Sequence, residues 1–229
     1  MTFRSPMILL GAGGLAWLLG QALLPDMGLQ TPQRYDAVVA ARGLEAWSAG
    51  LLVVAGCLLV LGALALSRAL VDVRGRGSTL IRIGAPMLAL GGVWLVAGRA
   101  AFNMLFLRVT DDDVPRDVAV RVLDDGGGAE FIPLLLTLPC LLIGPLLLAL
   151  GLRRAGLGSL LPLVLWVVGI GVFLTTEFTV KAGEIAGILS AAAALAVIGW
   201  SASRRATSSD GGVAVRVQAM RDSQVTSDR

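Results

Sequence analysis

Few residues in this chain can do chemistry, and most of them sit in apolar surroundings. Arg99 lies within a long apolar run, eight residues before its end, so roughly 12 Å from that end at about 1.5 Å of rise per residue. Asn103 follows four residues later and shares its helical face. Gln21 stands near the end of another apolar run. Glu177, Lys181 and Glu184, spaced by four and three, fall on one face if the turn that carries them is helical. An ionisable group at the middle of a span costs about 2.5–3.5 kcal/mol on the insertion scale, so each is a functional hypothesis by default. The chemistry these types offer is anion anchoring, with Arg99 as the cation and Glu177 as its counter-charge. A structural ion pair is the simpler reading. In it Arg99 pairs with Glu177 or snorkels outward, and Asn103 bonds a neighbouring helix. One arginine with acids nearby is satisfied without a ligand.

Other chemistries drop out. There is no histidine, which removes His-ligated haem, His-based zinc and any Ser-His or Cys-His nucleophile. Cys57 and Cys140 lie in separate apolar runs without a CxxC neighbour, and read as packing residues. Asp111, Asp112 and Asp113 lack the spaced ligands and central glycine of a calcium loop, and a charge run is usually a solvated face. Lys181 invites a retinal Schiff base, but span number, its loop-like position and the lack of a carboxylate in span three argue against it. Gly11-Ala12-Gly13-Gly14 follows no strand and is no nucleotide fingerprint. No catalytic residue, cofactor or metal is therefore expected. The basic balance, net charge +3 with a pI near 9.5, is scattered over short loops, so no nucleic-acid groove is expected either.

These side chains must be positioned by membrane helices. Of 229 residues, 56% are apolar and only 15% charged, against about 25% charged for a soluble domain. Six continuously apolar runs are expected to be transmembrane helices, over about 7–24, 47–66, 83–107, 131–152, 157–175 and 180–200. Continuous rather than alternating hydrophobicity excludes a β-barrel. The first run lacks a small-x-small cleavage site and reads as a retained span. The fold class is thus all-α and polytopic: a six-helix bundle over 1–200 and a disordered cytoplasmic tail over 201–229. Arg and Lys counts set the orientation. Twelve lie on the side of the termini, such as Arg74, Arg76, Arg153 and Arg154, and six on the other. Both termini are therefore expected in the cytoplasm, which puts the chain in a bacterial inner membrane with all the buried polar groups toward the external leaflet.

Two outer loops follow. In the first, Thr31 as N-cap, Pro32 at N1 and the spacing of Tyr35, Val38, Val39 and Arg42 predict a short amphipathic helix on the membrane surface. In the second, 108–130, the segment Val118 to Leu123 fits a strand or a helical turn. Pro139 and Pro145 predict a kinked fourth span. Ala12, Ala16 and Gly20, and likewise Gly183 and Gly187, mark close helix packing, within the chain or against a membrane-protein partner.

The Thr31-Pro32 loop, the basic turn Arg74-Gly75-Arg76-Gly77, the acidic third loop and the tightly joined fifth and sixth spans resemble small, uncharacterised six-span integral membrane proteins of GC-rich bacteria. The resemblance covers Met1 to Trp200 and implies no activity. With the lipid bilayer as its surroundings, the chain is expected to be a non-enzymatic structural or accessory subunit. The alternative is a small-solute or lipid carrier with an external polar pocket around Arg99; an intramembrane enzyme is the least supported.

Overall fold

A computed structural model describes the chain over residues 5–25, 31–124, 138–176 and 180–227, with side chains described as far as 204. Its described residues are helical, without strands. The helices are α1 (Ser5–Leu23), α2 (Thr31–Ala40), α3 (Arg42–Ala69), α4 (Ser78–Val93), α5 (Ala101–Val109), α6 (Arg116–Asp124), α7 (Leu138–Arg154), α8 (Leu161–Thr176) and α9 (Lys181–Ser227). A π-helical stretch, Trp94–Ala100, joins α4 to α5 without a break.

Four of these helices are long and apolar enough to cross a membrane: Pro6–Leu23, Arg42–Ala69, Ser78–Val109 and Lys181–Arg204. Leu161–Thr176 is a shorter apolar helix. Six helices close a ring in the order α1, α3, α4, α7, α8, α9 and back to α1. Each presents an apolar stripe inward. Leu52, Leu59 and Leu66 of α3, Leu88 of α4, Leu148 of α7, and Ile188 and Leu195 of α9 are fully buried there. Trp166 of α8 donates its indole N–H to the Leu142 carbonyl of α7 at 2.8 Å and lies 6.4 Å from the Trp17 ring of α1, so the buried indole keeps a hydrogen-bond partner. Gly77 enters α4 with φ +93°, and a Cβ there would stand 2.3 Å from the Gly151 carbonyl oxygen, so both backbone angle and space demand glycine.

Three expectations change. The second span begins at Arg42 rather than 47, because a charged residue ends an apolar run in the sequence without ending the helix. The segment 201–229 does not leave the helix at Trp200. The backbone stays helical to Ser227, with no proline after Pro162 to stop it. Pro139 lies in the first described turn of α7, and Pro145 is interior to its described length. Pro133 lies outside the described residues.

Candidate functional site

One end of the ring gathers polar groups. α1 ends there, α3 begins there, and α5 and the start of α9 flank them. Gln21 is 2% exposed, and its side-chain amide donates to Glu184 Oε1. Lys181 Nζ donates to the Gln21 backbone carbonyl at 2.7 Å and stands 3.4 Å from Glu184 Oε2. Lys181 thereby adds a second hydrogen bond to a carbonyl in the last turn of α1 that also accepts from the Leu24 N–H at 3.3 Å. The expected convergence of Gln21, Lys181 and Glu184 is therefore direct contact. Glu177 lies outside the described residues.

Asn103 departs from the expected arrangement. It is buried and donates to Ser48 Oγ of α3 at 3.4 Å, and it does not line the cavity that Arg99 lines. The π-helical stretch breaks the 3.6-residue period on which the shared face depended. Within that stretch Gly98 leaves room for the Trp94 ring, whose carbon atoms stand 2.5 Å from where a Cβ would be. Trp94 can therefore lie along its own helix as a wall. The cavity holds about 110 Å³ and is lined by Trp17, Gln21, Trp94, Leu95, Arg99, Leu138, Leu141, Leu142, Ile170, Phe173 and Leu174. Its walls are apolar except for Gln21 and Arg99. Arg99 is half-buried and makes no hydrogen bond or ion pair among the described residues.

Glu45, in the first turn of α3, is the residue that sequence reasoning passed over. It is 0% exposed, and neither carboxylate oxygen has a hydrogen-bond partner among the described residues. Lys181 is matched by Glu184, whereas Arg99 has no ion pair among the described residues.

Over this end lie α2 and α6. α2 is the helix expected from Thr31 and Pro32, with Val38 buried and Val39 exposed. The undecided segment of the second outer loop is helix α6, which packs Ala119 inward. Arg116 grips Asp36 with Nη2 at 3.0 Å from each carboxylate oxygen. Arg42 donates to the carbonyls of Thr110 at 3.0 Å and Leu107 at 3.1 Å, capping α5, and pairs with Asp111. Asp111 also accepts from Arg108 at 2.6 Å, and Asp113 from Arg108 at 3.2 Å. The acidic run thus serves arginines.

Hydrogen bonds from Arg108 and then Arg42 hold the Asp111 carboxyl below the usual carboxylate range. A lowered native value contributes stability that is present above the unfolded value and is lost as pH falls through the native one. Amide hydrogen exchange of the last turn of α5, which Arg42 caps, corrected for intrinsic rates, should stay protected from neutrality to about pH 4 and lose protection below it. Asp111→Asn should lack that acid step, and a step at neutral pH would contradict the assignment.

These features define an all-α protein with helices fit to span a membrane and a polar, partly hollow end under a two-helix cover. No family model, curated protein or solved structure matches the chain.

Proposed function

We propose that the chain is a six-span protein of the bacterial cytoplasmic membrane, with both termini inside, that binds and carries an anionic solute or lipid at the outer leaflet through Arg99. α7 and α8, described over 17 and 16 residues, supply the two spans beyond the four long helices. The asymmetry of arginines between the two sets of loops supports the orientation. A carboxy-terminal reporter that is active only in the periplasm overturns it.

The observation that carries the binding reading is Arg99 half-buried on a π-helical stretch, facing a cavity, with no carboxylate partner among the described residues. π-helical insertions occur frequently at functional sites. A guanidinium at the edge of apolar walls matches an anionic head on a short apolar body, and about 110 Å³ is the space of roughly four waters. The competing reading, an accessory subunit, draws on small-residue faces that are filled within the chain. Gly14 packs on Ala192, Gly183 on Thr176, and Gly187 on Phe173 and Gly169. The carrier reading is therefore preferred.

Trp17 and Trp94 line the cavity, so intrinsic fluorescence reports its occupancy. Purified protein in mild detergent, titrated with hexanoate or with micelles containing phosphatidylglycerol, is expected to show a saturable change in emission. Arg99→Ala should weaken it at least about tenfold, the equivalent of one charge-assisted hydrogen bond, at unchanged folded yield. Saturation by hexanoate alone identifies a solute, and by phosphatidylglycerol alone a lipid. Saturation by neither, or collapse of the Arg99→Ala yield, overturns the reading.

A further inference from the structure

We propose that a groove between the α7–α8 turn and α9, at the opposite end of the ring from Arg99, binds an anionic phospholipid by its phosphate headgroup.

The groove is built by the way α7 stops. Gly156 takes φ +72°. The Leu157 N–H donates to the Leu152 carbonyl at 2.8 Å and the Gly156 N–H to the Arg153 carbonyl at 3.0 Å, which closes a Schellman ending. The chain then runs Leu157-Gly158-Ser159 beside α9, so close that a Cβ at Gly158 would stand 3.7 Å from Ser201 Oγ. Between turn and helix lies an open space of about 460 Å³, walled by Leu157, Ser159, Leu161, Val197, Trp200 and Arg204. Clefts that take small molecules measure about 300–1,000 Å³.

The polar and apolar parts of the groove are separate. Arg204 is exposed, and its guanidinium carbon stands 3.8 Å from the centroid of the Trp200 ring. Stacking engages the face of the guanidinium, whereas its N–H donors lie in its plane, in the fork that matches a phosphate. Ser159 Oγ accepts from the Leu161 N–H at 3.3 Å, a bond that uses a lone pair and leaves the hydroxyl hydrogen to donate. Leu161 also opens an apolar stripe with Val164 and Val168 on one face of α8, each about half exposed.

The surrounding charge selects the occupant. Arg68, Arg74, Arg76, Arg153 and Arg154 stand exposed at this end with Arg204, and Asp72 is the only acid here among the described side chains. Basic pockets between membrane helices on the cytoplasmic side suit anionic headgroups, and a zwitterionic head gains little from such a field. A free anion would use the cationic rim alone. A phospholipid uses both parts, with its phosphate at Arg204 and Ser159 and an acyl chain along Leu161, Val164 and Val168. On the orientation proposed above, this end meets the cytoplasmic leaflet, and Trp200 stands at headgroup level, where tryptophan is enriched.

The test uses the full chain in neutral-detergent micelles, with brominated phosphatidylglycerol or brominated phosphatidylcholine added at equal mole fraction. Bromine quenches an indole only at short range, and Trp200→Phe identifies the part of the quenching that arises in the groove. Phosphatidylglycerol should half-quench that part at about a tenfold lower mole fraction than phosphatidylcholine. On the unaltered protein this preference should fall as salt rises, a readout independent of any variant's folding. Arg204→Gln should abolish it, and Arg204→Lys, which keeps the charge without the fork, should retain part of it. Equal quenching by the two lipids, or a preference indifferent to salt, overturns the proposal. Relief of the quenching by glycerol 3-phosphate would mean a site for free phosphate and overturns the lipid assignment. A preference that survives both Trp200→Phe and Arg204→Gln belongs to the outer cavity, whose indoles are Trp17 and Trp94, and overturns the groove while leaving the Arg99 site intact.

Discussion

Gly56→Ala is expected to destabilise the fold by about 3 kcal/mol, the upper part of the range for an overpacked interior. A Cβ at Gly56 of α3 would stand 2.4 Å from the Gly92 carbonyl oxygen of α4 and 2.5 Å from Val96 Cγ2; a Cβ at Gly92 would stand 2.7 Å from the Gly56 carbonyl oxygen. The two helices meet main chain to main chain, so no flexible side chain can yield. In hydrocarbon there is no hydrophobic drive between helices, and their association depends on such close approach. Gly50 lies on the same helix, with nothing within 4 Å of its would-be Cβ, and Gly50→Ala should change stability by no more than about 0.5 kcal/mol. Thermal unfolding of both variants, followed by size-exclusion chromatography in mild detergent, compares them directly. Equal midpoints would mean that α3 and α4 do not touch at Gly56.

Periodicity and apolar run length located the long apolar helices because each is set by local composition, but they left α6 undecided and did not foresee the helix beyond Trp200. They also located the polar end, since Gln21, Lys181 and Glu184 stand at matching ends of separate runs. They failed where the cause was not local. Glu45 looked like loop because a charge ends an apolar run, yet it continues the stripe of Leu52, Leu59 and Leu66 at intervals of seven, and all four are 0% exposed. That interval is a legible signal that a run-length criterion discards. The π-helical stretch at Trp94–Ala100 has no comparable signature; it moved Asn103 away from Arg99 and toward Ser48. The contact of Asn103 with Ser48 forms only when α3 and α5 pack, which no reading of either segment alone contains.

Removing the Glu184 carboxylate should be nearly as damaging as Gly56→Ala, for an electrostatic reason. Glu184 is 6% exposed and accepts from both the Gln21 amide and Lys181. Glu184→Leu leaves the amide without that acceptor and a partly buried ammonium without its counter-charge. Breaking a buried pair from one side costs about 3–5 kcal/mol. The lower end applies here, because the Lys181 side chain keeps 25% exposure and a bond to the Gln21 carbonyl. Lys181→Met added to Glu184→Leu should recover much of the loss, since it removes the stranded charge; groups in direct contact show coupling of about 0.5–3 kcal/mol. Thermal midpoints of both singles and the double measure that coupling, and strict additivity would show that the pair is not a unit.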